Sequence, residues 1–265
     1  MTPSRLFAAL VFSSLTFGTT AMAQATSDAA KELVPTGKLR AAINLGNSVL
    51  AQSGHDGPKG ITVDLARELG KRLSVPVELI TYDAAGKVFD DAKNNKWDIA
   101  FVAIEPVRAE IIEFTAPYVI IEGTYMVHKA SPLMKIEDVD KPGIRIAVGL
   151  KSAYDLYLTR TIKNATIVRA PAGGGKAMID TFLNEKLEVA AGVRQPLEAY
   201  AKDHPDMRVM DGAFQEIQQA MGTPKGRTEG AKYLRVFVEE MKASGFVAEA
   251  LKRSGQSAKV APPAK

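Results

Sequence analysis

The stretch that decides the fold runs Trp97-Asp98-Ile99-Ala100-Phe101-Val102-Ala103-Ile104-Glu105-Pro106-Val107-Arg108 and continues Ala109-Glu110-Ile111-Ile112-Glu113-Phe114-Thr115-Ala116-Pro117-Tyr118. The uncharged run Ile99 to Ile104, bounded by Asp98 and Glu105, predicts a strand covered on both faces. Glu105 and Pro106 end it, and Val107 to Phe114 reads as helical. Arg108 falls just past the strand's carboxyl end, where open α/β sheets place their ligands. A guanidinium there can fork two hydrogen bonds onto a carboxylate. The spacing makes Arg108 the leading candidate to hold an acid group of a small ligand; the plain alternative is a solvated helix residue.

Working outward, Leu39 to Ile43 reads as a strand followed by a loop, Asn44 to Gln52, in which Asn44 and Asn47 are candidates to face a ligand or to serve as ordinary turn residues. Ile61, Leu65, Leu69 and Leu73 recur four apart and predict a helix over 60–74. A strand over 75–82 and a helix over 87–95 complete a strand–helix alternation that predicts a parallel, doubly wound sheet. After Pro117, residues 119–125 read as a crossover into a second lobe with strands over 125–129, 144–148, 165–170, 188–193 and 207–210. Ser152 precedes a helix over 153–162 as its N-cap, and a helix N-terminus attracts anions. Pro171-Ala172-Gly173-Gly174-Gly175-Lys176 is no phosphate loop, since Ala177 stands where Ser or Thr is needed. Residues 214–221 cross back, and a helix over 228–243 and a shorter one over 246–252 follow. Residues 24–34 read as a loose leader and 256–265 as a disordered tail; no internal repeat is evident.

Arg5, the apolar run Leu6 to Phe17 and Ala21-Met22-Ala23 have the form of a cleaved export signal. The remaining segments fall short of the ~20 apolar residues that a spanning helix needs. The expectation is therefore a periplasmic protein of residues 24–265. The chain has no Cys, which excludes disulfides, thiolate chemistry and Cys-based metal sites. His55, His128 and His204 are scattered without metal-ligand spacing, and neither a metal nor another cofactor is expected. The net charge of +4, reduced by one with Arg5, is spread without a basic stripe, so nucleic acid is not an expected partner.

Asp98, Pro106, Arg108, Phe114, Thr115, Pro117 and Tyr118 match, in order and spacing, the core motif of the bacterial extracellular solute-binding proteins, family three, which this chain resembles. Gly60-Ile61-Thr62-Val63-Asp64-Leu65-Ala66 is similar to a second signature of that family, with Ile61 in place of its aromatic residue. The resemblance extends more weakly from about Gly37 to Ser254. It implies an α/β, two-lobed type II periplasmic binding protein fold with two hinge crossovers. The first lobe would comprise residues 24–120 with 220–265, and the second 121–219. The family's Thr/Ser-rich turn is missing; Ile104 and Glu105 occupy its place and join the candidate site. Ser152 best matches the turn that contacts the ligand carboxylate in the family. Where amino-acid binders of the family place an Asp for the ligand ammonium, this chain has Arg194, or Val193 by the other count. The ligand would then lack the amino group or carry a second acid, or Glu105 would replace the missing acid; alternatively Arg194 faces solvent.

The resemblance implies a monomeric substrate-binding protein of an ABC importer. It would capture a small carboxylate, an amino acid or related organic acid, by hinge closure and deliver it to a membrane permease. The alternative is an exported enzyme on the same fold, such as a cyclohexadienyl dehydratase-like lyase. It would need a cleft carboxyl as general acid, for which Glu105 or Glu188 could be proposed. No nucleophile–base pair stands out. A transcription-regulator effector domain is disfavoured by the export signal and the lack of a helix-turn-helix. Trp97 reads as core packing, and Tyr125 and Tyr154 as candidates for an aromatic wall.

Overall fold

The computed structural model describes residues 28–171 and 174–265; the export signal expected over 1–23 lies outside them. Strand β1 (Leu39–Asn44) pairs in parallel with β2 (Val77–Tyr82) and β3 (Ile99–Ala103). Along β3 successive side chains point to opposite faces: Ile99, Phe101 and Ala103 join one buried cluster, Ala100 and Val102 another. An uncharged run is what a strand buried on both faces requires. Helix α1 (Ile61–Leu73) covers one face through Ile61, Leu65, Leu69 and Leu73. Each such burial contributes on the order of 2 kcal/mol. The helix expected over 87–95 is shorter and earlier, α2 (Ala85–Asp90), and continues as a 3₁₀ turn over Asp91–Asn94.

The helix expected over 107–114 is a single turn, α3 (Pro106–Ala109), and the chain then enters one strand of 17 residues, β4 (Ile112–His128). That strand absorbs the segment expected as a crossover and the strand expected after it. It runs antiparallel to β9 (Gln215–Pro224) through most of its length and, beyond Gly123, antiparallel to β7 (Val189–Val193). In the second lobe β7 pairs in parallel with β5 (Arg145–Gly149), and β5 with β6 (Thr166–Ala170), while β8 (Met207–Val209) adds to the end of β4. The strand order β2-β1-β3-β9-β4-β7-β5-β6 makes one continuous sheet, with β4 and β9 as the two strands that join the lobes. Helices α4 (Ala153–Thr161), α5 (Gly175–Asn184) and α6 (Arg194–Asp203) flank the second lobe; α7 (Thr228–Ala243) and α8 (Phe246–Arg253) return to the first.

Two expectations for the ends are corrected. Leu33 is fully buried in the first-lobe core and Glu32 accepts the Gly230 N–H at 2.8 Å, so the described part of the leader is packed. The tail also has a partner: β10 (Lys259–Val260) pairs with β4, and the Ala261 N–H reaches the Tyr118 carbonyl. Trp97 is fully buried, its Nε1 donating to Val88.

The lobes share one device that the sequence hid. Arg40 in β1 clamps Asp98, giving its backbone N–H and Nε to Oδ2 and its Nη2 to Oδ1 at 2.8–3.0 Å. Arg145 in β5 does the same to Glu188, through N–H, Nε and Nη2, at 2.8–2.9 Å. Each acid stands just before the central strand of its lobe and ties it to the neighbouring strand. Glu188 is thus a structural residue, and the Arg145 side chain holds its carboxyl below the usual range. Asp98, fully buried, takes a second cation from Arg227 at 2.9 Å.

Candidate functional site

The site forms where the carboxyl ends of the parallel strands of the two lobes face each other. Glu105, in extended conformation, precedes α3, and Pro106 takes the first helical position, where its missing N–H costs nothing. One turn later Arg108 folds back under the strand end, 1% exposed. Its Nη1 donates to the Ala103 carbonyl at 3.0 Å, and its Nη2 crosses to the second lobe to donate to the Lys151 carbonyl at 2.9 Å. Its Nε has no hydrogen-bond partner among the described residues. Burial pushes the guanidinium down to about 10, against the opposing charge of Glu105, so it remains a cation at neutral pH.

The second lobe supplies the opposite wall. Lys151 is left-handed, at φ 56°, and its N–H donates to Asp155 Oδ2 at 2.7 Å. Ser152 caps α4, its Oγ accepting the Asp155 N–H at 3.0 Å. Asp155, itself buried, is held by Arg169 at 2.9 Å. This mutual capping fixes the turn that meets Arg108.

Arg108, Asn44, Asn47, Ser152, Tyr154, Val193 and Gln219 line one cavity of about 50 Å³ between the lobes. It adjoins an open groove of about 1270 Å³, whose lining shares Tyr154, Gly174 and Val193 and adds Tyr82, Met178, Leu197 and Tyr200. Among the described residues Arg108 is the one charged side chain in the cavity lining. Of the seven residues expected at the site, Arg108, Ser152, Asn44 and Asn47 are brought together there. Asn44 Oδ1 accepts the Gly46 N–H and Asn47 Oδ1 the Val49 N–H, so both are turn residues and cavity residues at once.

The other three lie elsewhere. Ile104 gives its N–H to the Gln218 carbonyl at 2.9 Å and is absent from the cavity lining. Glu105, 1% exposed, accepts Gln215 Nε2 at 3.0 Å and lies 2.7 Å from Arg160 Nη1, an ion contact whose angles fall short of a hydrogen bond. Arg194 turns to the joining strands, where Glu122 and the Gly212 and Met210 carbonyls accept its hydrogens. Neither the solvent-facing nor the ligand-facing alternative describes it. Gln219, 5% exposed in β9, was missed, because its outward register emerges only when β9 pairs between β3 and β4. Tyr125 is core, packed on Phe214, whereas Tyr154 reaches the cavity wall.

Further contacts join the lobes around this cavity. Lys151 Nζ meets Asp90 Oδ1 at 2.7 Å, and the Gly175 N–H approaches the Gly46 carbonyl at 3.4 Å. Among the described residues no group of three His, Cys, Asp or Glu could hold a metal ion, and no helix is long and apolar enough to cross a membrane.

Comparison with known proteins agrees with this geometry. No curated relative matches the chain in sequence. Among solved structures, a mutant of ArgBP from T. maritima superposes with a TM-score of 0.73 at 18% identity, over 86% of this chain and 99% of that one. An amino acid ABC transporter substrate-binding protein AbpA from Streptococcus pneumoniae, bound to L-arginine, gives 0.72 at 18% identity, over 84% and 97%. The ancestral amino acid-binding protein AncCDT-1, a precursor of cyclohexadienyl dehydratase, gives 0.70 at 21% identity, over 84% and 97%. At these identities the likeness is one of fold, a two-lobed binding protein. The family model for bacterial extracellular solute-binding proteins, family 3, matches residues 47–256. The chain belongs to the bacterial extracellular solute-binding proteins, family 3.

Proposed function

We propose that this protein is the solute-capturing component of an ABC importer, exported to the periplasm. It binds a small carboxylate, an amino acid or related organic acid, by closing its lobes and then presents it to a membrane permease. The observation that carries this reading is the Arg108 guanidinium: buried, cationic, placed at the carboxyl end of the central strand on the wall of a cavity between the lobes, and left with an unpartnered Nε. A buried donor without a partner costs ~1–3 kcal/mol, and a carboxylate on Nε and Nη2 removes that cost. Because Nη2 bonds Lys151 of the other lobe, occupancy of the site and the distance between the lobes are coupled, as transport requires.

The enzyme alternative needs a carboxyl in the cavity to act as general acid. Glu105 is taken by Arg160 and Gln215, and Glu188 by Arg145. Isothermal calorimetry with the compound released from protein purified from its own periplasm tests the binding reading, and N-terminal sequencing starting at Gln24 tests export. Steady turnover of prephenate or arogenate would contradict the binding reading.

A further inference from the structure

The polar side chains of the cavity are arranged to donate. Asn44 and Asn47 each commit their amide oxygen to a backbone N–H, at 3.0 and 3.2 Å, which leaves their Nδ2 groups as the free ends. Ser152 accepts the Asp155 N–H, and its hydroxyl meets that of Tyr154. The Ala103 and Lys151 carbonyls at the guanidinium each accept a hydrogen bond from Arg108. Arg108 itself has only donors, one of them unpartnered. Gln219 is the one lining amide that can turn either way. Among the described residues no acidic side chain lines the cavity: Glu105 faces Arg160, and Arg194 turns to Glu122.

An α-ammonium sits on the carbon next to the carboxylate, so an amino acid anchored on Arg108 must place its cation in this same cavity. There it would meet a second cation and a ring of donors. A buried ammonium without acceptors carries a large desolvation penalty. A carboxylate with hydrogen, hydroxyl or carbonyl on that carbon meets donors that suit it.

Resting on the carboxylate reading of Arg108, we infer that the solute is an amine-free carboxylate: its acid group takes Arg108 and the Asn44 and Asn47 amides, and its remaining chain leads past Tyr154 and Val193 into the adjoining groove.

The test uses the mature chain and matched pairs that differ only in the ammonium: propionate with L-alanine, isocaproate with L-leucine, hydrocinnamate with L-phenylalanine, and glutaramate with L-glutamine. Each is measured by thermal shift and calorimetry, with Arg108→Met, which retains the apolar stem, run in parallel and checked for folding by circular dichroism. The expected result is that at least one acid binds at least about tenfold more tightly than its amino acid, the minimum for an uncompensated buried cation, and that Arg108→Met abolishes the difference. If amino acids bind as well or better while still depending on Arg108, the amine-free assignment is overturned and the carboxylate reading stands. If binding is indifferent to Arg108→Met, or no member of either series binds, the carboxylate reading fails and this inference with it.

Discussion

Glu105 and Arg160 lie on opposite lobes, with Nη1 2.7 Å from Oε2, and together they bolt the back of the cleft. The acid is buried and the arginine is 43% exposed, so the pair stands between a surface bridge and a core one. Arg160→Met removes the cation and leaves Glu105 with Gln215. The expected cost is about 1–3 kcal/mol, less than for a fully buried pair because solvent can reach the gap. Thermal melts should show it, and small-angle scattering should show a larger radius of gyration. Arg160→Met combined with Glu105→Gln should recover part of the loss. An unchanged melting temperature and radius in the single variant would contradict a bolting role.

Gly174 is another point of contact between the lobes. A Cβ there would lie 2.5 Å from Gly46 Cα and 2.6 Å from the Gly46 carbonyl oxygen. Gly174→Ala should therefore act as a wedge that separates the lobes. The expected result is solute affinity lowered about tenfold or more with the melting temperature within about 2 °C, as scattering and calorimetry would record. A wild-type affinity would mean that the lobes meet differently.

Arg194 is held by Glu122 and two carbonyls beside the joining strands. Arg194→Ala should cost about 1–3 kcal/mol of stability through the acceptors it abandons, while solute affinity changes less than threefold. If affinity falls as far as in an Arg108 variant, Arg194 reaches the solute.

The Arg145–Glu188 clamp gives a pH dependence of defined sign. The Arg145 hydrogen bonds hold the Glu188 pKa below its ordinary 4.5. A folded-state value below the unfolded one contributes stability that is present above pH 4.5 and is lost as pH falls through the folded value. Glu188→Gln should flatten the acid limb of the stability curve below pH 4.5 and leave the alkaline side unaltered. An acid limb of unchanged slope would show that the clamp does not operate. The Asp98 clamp, fully buried and doubly paired, should matter more: Asp98→Asn is expected to cost about 3–5 kcal/mol.

What the sequence revealed follows from range. The run 99–104, the four-residue spacing of α1 and the strand–helix alternation are local signals that tertiary packing reinforced. Arg108, Ser152 and Asn47 follow strand ends within five residues and Asn44 closes β1, positions that sequence order states. Residues 107–114 misled because Val107, Ile111 and Phe114 mimic a helical stripe, whereas pairing of β4 with β9 over Ile112 to Gly123 won. Glu105 and Arg194 sit near the cleft in sequence order, but their partners, Arg160 and Glu122, are 55 and 72 residues away, and only the folded chain aims them. Gln219 carried no local mark at all.

The most direct test of the account is the affinity of Arg108 variants for the natural solute, identified by native mass spectrometry of protein from its own periplasm and titrated by calorimetry. Arg108→Lys keeps the charge but loses the fork, and Arg108→Met loses both. The account predicts that affinity falls about ten- to a hundredfold in the first and further in the second, as expected when two charge-assisted hydrogen bonds worth ~1.5–3 kcal/mol each are removed in stages. Both variants should still melt cooperatively. Wild-type affinity in a folded Arg108→Met protein would contradict it.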